Sequence, residues 1–237
     1  RENDQLLFLT WLCSCMIPDI PHPVVVFSGP QGSAKTSTAR LARGLVDPSA
    51  VPVLAMPTDP VELILLMAHH WMPVFDNVSA LPAWASDHLC RAATGEGFAK
   101  RRLYTDEEEV LFSFRRCPAI TGVAPAIRQP DLFDRLLRFE LPPIPAAARK
   151  TEASLDRVLS GERSKWVGAL LSAVSAALAL RDSVTVPRLP RMADFAVWGE
   201  AIAIALRADS GEFLDRYAKE IIARHDESIG ESSFAEA

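Results

Sequence analysis

The spacing of apolar and polar positions changes character several times along this chain. Asp4 to Met16 carries bulky apolar side chains on most faces of a helical wheel, and Pro18, Pro21 and Pro23 close that helix. Val24-Val25-Val26-Phe27-Ser28 is a β-branched run, the pattern of a buried strand. Helical spacing resumes from Lys35 to about Val46. Val51 to Met56 predicts a second strand, which Pro52 restricts to a sheet edge. Asp59-Pro60 opens a helix to about His70, with Asp59 as N-cap and Pro60 at N1.

Met72-Pro73-Val74-Phe75-Asp76-Asn77 then predicts a short apolar strand ending in an acid, and Pro82 to Ala93 a helix. Gly97 to Tyr104 and Glu109 to Phe114 alternate as a hairpin, with an acidic tip at Thr105-Asp106-Glu107-Glu108. Cys117 to Thr121 predicts a strand, and Asp131 to Leu136 a short helix feeding a strand from Leu137 to Leu141. Beyond Pro142-Pro143-Ile144-Pro145 every signal is helical: Thr151 to Leu159, Ser164 to Leu180, Arg191 to Arg207 and Glu212 to Arg224. The expected organisation is an N-terminal helix leading into the core over 1–23, an α/β core over 24–145 and an all-helical C-terminal subdomain over 146–237. The core should hold a central parallel sheet flanked by helices.

Composition narrows the class. With 49% apolar and 23% charged residues over 237 positions, the chain is globular. Its longest apolar stretch, Val167 to Leu180, is diluted by Ser and Ala and reads as a buried helix, so no membrane partner is expected. The chain begins at Arg1, carries no signal-peptide pattern, and reads as a fragment of a longer protein. Cys13, Cys15, Cys90 and Cys117 are too few and too scattered for a disulfide framework, and a cytoplasmic location with reduced core thiols is expected. A net charge of −5 offers no global attraction to nucleic acid, so any such contact must come from local clusters. Lys100-Arg101-Arg102 is the strongest and Arg115-Arg116 the second.

The segment after the first strand carries the chemistry. Gly29-Pro30-Gln31-Gly32-Ser33-Ala34-Lys35-Thr36-Ser37 is a glycine loop ending in Lys-Thr and running into a helix. That order wraps a nucleoside triphosphate: backbone amides meet the phosphates, Lys35 faces the β/γ oxygens, and the Thr36 hydroxyl ligates Mg²⁺. Ala34 stands where a second glycine is usual, and its methyl group is expected to require φ below zero. Asp76, ending a buried strand, is placed as a second Mg²⁺ ligand. Its neighbour Asn77 can hydrogen-bond a water but cannot take its proton. Thr121, also at a strand end, is placed to report on the γ-phosphate. Arg135 and Arg138 are candidates to stabilise transition-state charge across a subunit boundary.

Strand–loop–Lys-Thr, strand–Asp, hairpin, strand–Thr, then Asp131-x-x-Asp134-Arg135-Leu136 resembles AAA+ P-loop ATPases, and more narrowly superfamily 3 helicases of phage and plasmid primase–helicases. The resemblance spans roughly Pro21 to Pro143. It implies ATP and Mg²⁺ as cofactors, self-association into a ring such as a hexamer, and single-stranded or forked DNA as partner. It also implies that the hairpin arm with Lys100, Arg101 and Arg102 meets DNA in the ring channel. Ala34, Asn77 and the acidic hairpin tip depart from the family pattern.

Arg191, after Pro190 at a helix start, is expected either to reach back to nucleotide or to pair with Asp194 while Phe195 and Trp198 bury. His69-His70 reads as a helix end without metal-ligand spacing. The sequence thus predicts the ATPase domain of a superfamily 3-like DNA helicase or translocase acting in replication of a mobile element. An ATP-dependent switch or assembly module is the alternative. A small-molecule P-loop kinase ranks last, since it leaves the helical part unexplained.

Overall fold

The computed structural model describes residues 2–101, 109–127 and 129–235. In chain order the elements are α1 (Glu2–Ser14), β1 (Val24–Ser28), α2 (Lys35–Val46), α3 (Pro60–His69), β2 (Val74–Phe75), α4 (Ala83–Thr94), β3 (Gly97–Arg101), β4 (Glu109–Ser113), β5 (Ala119–Gly122), α5 (Pro130–Phe133), β6 (Leu136–Glu140), α6 (Glu152–Leu180), α7 (Ala193–Ala205) and α8 (Glu212–Ala235). Two compact units divide them: Ile17–Gly168, and Arg1–Met16 with Ala169–Ala237.

The first unit is built on a four-stranded sheet of order β2-β5-β1-β6, in which every pairing is parallel. The central strand β1 is buried along its whole length, which explains its unbroken apolar run. Val24 and Val26 join one apolar core with Leu63 and Met67 of α3 and Leu89 of α4. Alternation turns Val25 and Phe27 to the other face, where Phe27 stacks on Phe139 of β6 at 5.7 Å. The helix α3 starts as the sequence predicts, with Asp59 Oδ1 accepting from the amides of Val61 and Glu62.

β3 and β4 form an antiparallel pair, Gly97 opposite Ser113 and Arg101 opposite Glu109. The predicted acidic tip at 105–108 lies outside the described residues.

Two expectations change. Val51 to Met56 does not form a strand; only Leu54 bridges to Phe75, on the outer side of β2. Pro52 has no amide to donate, so an edge contact of one residue is all that survives. The expected gap between Leu159 and Ser164 is absent, and α6 is continuous for 29 residues. An ion pair between Glu162 and Lys165 and a hydrogen bond from Arg163 Nε to the Gly44 carbonyl hold the turn that follows Gly161.

In the second unit, α7 packs on α1 and α8. Phe195, Phe213 and Tyr217 form an aromatic cluster with centroids 5.3–5.8 Å apart. Gly199 is required there, because a Cβ would stand 2.3 Å from Phe213 Cζ. Phe195 and Trp198 are buried, as the packing alternative for this segment expects. Among the described residues no helix is long and apolar enough to cross a membrane. None of the four cysteines forms a disulfide, and all are buried. Burial pushes the thiols of Cys13 and Cys90 up to about 12.

Candidate functional site

The C-terminal ends of the parallel strands bring most of the predicted residues together. After Ser28 the chain turns through Gly29, whose φ is 141° and whose missing Cβ would fall 2.3 Å from the Leu141 carbonyl oxygen. Only glycine fits there. Gly32 follows at φ 76°, and the Ile144 amide donates to its carbonyl at 3.0 Å. The expectation for Ala34 is overturned: it adopts φ 59°, ψ 28°, the left-handed region. A single Ala pays about 1–2 kcal/mol for that conformation, and here it turns the loop into α2. No side chain caps α2, whose N-terminal amides stay open toward the loop.

Lys35 Nζ donates to the carbonyls of Gly29 and Pro30, both at 2.8 Å, so the loop's own oxygens hold its charge over the loop. Ser33 is buried beneath, while Pro30 and Gln31 are exposed and Ser37 half-buried at the start of α2.

Asp76 is the hub. Thr36 Oγ1 donates to Asp76 Oδ1 at 2.7 Å, and Thr121 Oγ1 donates to the same oxygen at 2.5 Å. Thr121 Oγ1 in turn accepts from the Asn77 amide at 3.0 Å. The strand order explains the meeting. β5 lies between β1 and β2, so its last polar residue stands beside the acid that follows β2. A hydroxyl and a carboxylate converging beside a lysine and open helix amides suit an anionic ligand held with a hard cation. Asn77 is exposed at φ 55°. Asn tolerates the left-handed region better than Glu does, a backbone reason for its presence that the sequence alone conceals.

The remaining candidates lie elsewhere. Leu136 pairs with Val24, so Arg135 sits at the N-terminal edge of the sheet, roughly 16 Å along β1 from the loop. It is 8% exposed and its Nη1 pairs with Asp131 Oδ2 at 2.5 Å. Arg138 is half-buried in mid-strand beside Val26. Lys100 and Arg101 lie on the β3 backbone opposite Val110 and Glu109, and Arg102 is outside the described residues. Arg191 is exposed ahead of α7 and belongs to the other compact unit.

The second basic cluster proves structural. Arg115 donates to the carbonyls of Thr94 and Asp19, and Arg116 to those of Met67 and Ala68. Both close helix C-termini, and Arg116 also lies 4.6 Å over the Phe114 ring.

Two features escaped the sequence. A cavity of about 530 Å³ opens beside the loop, lined by Gly32, Ser37, Leu41, Ile144, Arg149 and Leu155 among others. Arg149 reaches the loop because Gly32 has no side chain: its Nη2 lies 3.3 Å from where a Cβ would be. Arg43, fully buried in α2, donates to His70 Nδ1 at 2.8 Å. Burial, then Arg43 itself, keeps the His70 imidazole below its usual range and therefore neutral.

Among solved structures the chain is similar to JCV helicase bound to a thiazolopyridine-phenoxy acetamide, at 17% identity and a TM-score of 0.39, over 90% of this chain and 63% of that one. It is also similar to the apo C-terminal region (305–718) of NrS-1, at 16% identity and a TM-score of 0.47, over 86% of this chain and 47% of that one. A second apo form of that region matches at 15% identity and a TM-score of 0.44, over 66% of this chain and 38% of that one. The chain therefore spans less than two thirds of each of these structures. No curated protein matches it. A family model matches residues 2–218, nearly the whole chain, and by that match it belongs to the actinomycete integrative conjugative element replication proteins.

Proposed function

We propose that this chain is the Mg²⁺-dependent ATP-binding and hydrolysing domain of its replication protein, a motor of the superfamily 3 helicase type. The observation that carries the reading is the convergence of Thr36 and Thr121 on one oxygen of Asp76. Thr36 and Asp76 offer hard oxygen donors of the kind Mg²⁺ takes, and neither needs to move to a new element to serve. Mg²⁺, when bound, neutralises phosphate charge. The open amides of α2 and of the loop receive the phosphates, and Lys35 exchanges the Gly29 and Pro30 carbonyls for phosphate oxygens. The cavity beside the loop takes the base and ribose against Leu41, Ile144 and Leu155. Thr121, held between Asp76 and the Asn77 amide, faces the γ-phosphate position.

Arg135 lies roughly 16 Å along β1 from its own loop, which fits action in a neighbouring subunit of a ring, and Arg138 is the second candidate for that role. DNA contact through Lys100, Arg101 and Arg102 follows from the same reading.

The test is steady-state ATP hydrolysis with and without single-stranded DNA across a range of protein concentrations, with Lys35→Ala as the blank. Turnover rising with both DNA and concentration supports the ring motor. Asn77 favours a second reading, an ATP-dependent assembly switch, because it supplies no general base. Tight ATP binding without turnover under any of these conditions would select the switch and reject the motor.

A further inference from the structure

The helical unit holds a second cavity, about 370 Å³, bounded by the segment 185–190, the α7–α8 turn and one face of α8. Glu200 of α7 forms part of its wall and is only 2% exposed. One carboxylate oxygen is used: Oε1 accepts from the Gly211 amide at 2.5 Å, at the turn that opens α8. The other, Oε2, is buried with no hydrogen-bond partner among the described residues. A buried carboxylate oxygen without a donor is costly, and Glu200 lines a cavity from which a donor can come.

The charges around the cavity fix what that donor is. Asp215 and Arg188 line the same space and are both exposed, so with Glu200 the lining carries one positive and two negative side chains, a formal net charge of −1. Arg188 makes no ion pair with Glu200 among the described residues. The rest of the wall is largely apolar: Val186, Pro187, Pro190, Leu214 and Ile221. An anionic floor with apolar sides matches a cation carried on an aliphatic stem.

We propose that this cavity binds an ammonium or guanidinium group on an alkyl chain, held by Glu200 Oε2. The chemistry is shared by a free aliphatic diamine and by a Lys or Arg side chain of a partner protein. The site is independent of the nucleotide reading, since every residue in it belongs to the helical unit.

Thermal unfolding of the full chain tests it, with cadaverine, N-acetyl-lysine methylamide and N-acetyl-arginine methylamide as probes and 1-pentanol as the uncharged control. Glu200→Gln keeps an acceptor for the Gly211 amide and removes the charge. Ala218→Phe fills the cavity from an exposed position on α8 and leaves Glu200 untouched, so it carries the test if Glu200→Gln does not fold. The expected result is a saturable rise in melting temperature with at least one cation, weakened at least tenfold in either variant and absent with 1-pentanol. A stronger response to cadaverine assigns the site to free amines, and a stronger response to the blocked amino acids assigns it to a protein side chain. No response to any cation, or an equal response in both variants or to 1-pentanol, overturns the proposal.

Discussion

Ala34 holds a conformation that costs an alanine free energy and a glycine almost none. Ala34→Gly should therefore raise stability by about 0.5–1 kcal/mol net of the extra chain entropy of glycine, measured by urea unfolding; a loss of stability would mean the methyl group packs usefully. His22 belongs to the same scale. Burial, more than any other influence, drops its pKa to about 4, so the folded chain keeps it neutral. Between pH 6.5 and 4 the unfolded chain binds the proton and the folded chain does not, so stability falls as pH drops through that window. The loss attributable to this residue is up to ~3 kcal/mol, and His22→Phe should flatten that part of the pH–stability curve. An unchanged slope would contradict the assignment. The meeting of Thr36 with Asp76 beside Lys35 was legible as residue types at fixed spacing. The left-handed turns at Ala34 and Asn77 were not, because a dihedral angle leaves no mark in composition when the residue is not glycine.

Helices and strands were most legible where one pattern ruled without competition. β1 reads directly as an apolar run, and α3 as an Asp-Pro start. The Val51–Met56 strand failed because propensity was set against a proline that cannot join a ladder. The expected gap between Leu159 and Ser164 closes because contacts of Arg163 and Lys165 carry the helix through it, Gly161 included. A Cβ at Gly161 would meet nothing within 4 Å. Gly161→Ala should therefore stabilise the chain by up to about 1 kcal/mol, seen as a higher denaturation midpoint; no gain would mean α6 is not continuous there. Arg116 ties the end of α3 to the segment before β5. Arg116→Met keeps the stem and removes the donors to Met67 and Ala68, and should cost about 2–4 kcal/mol. A change near zero in the same unfolding experiment would return Arg116 to the surface charges available for DNA.

At the scale of the whole molecule, a parallel sheet gathers residues 29–36, 76–77 and 121 at one edge although they are far apart in sequence. That gathering was foreseeable from motif order, since each acid or hydroxyl ends an apolar strand. The cavity beside the loop was not, because Ile144 lies within, and Arg149 just after, a Pro-rich stretch that reads only as a boundary. The structural use of Arg115 and Arg116 leaves Lys100, Arg101 and Arg102 as the basic cluster proposed to meet DNA, in a chain whose net charge is −5. The motor reading then expects DNA-stimulated turnover to fall with salt, with a modest slope matching few phosphate contacts. The central claim is a nucleotide site organised by Thr36 and Asp76, and its most direct test is equilibrium binding of ATP by the wild type, Thr36→Val and Lys35→Ala, each with Mg²⁺ and with chelator. The account predicts binding by the wild type that weakens at least tenfold on chelation, a comparable weakening in Thr36→Val that chelation no longer deepens, and near loss of binding in Lys35→Ala. Wild-type affinity indifferent to Mg²⁺ and to both substitutions would contradict it.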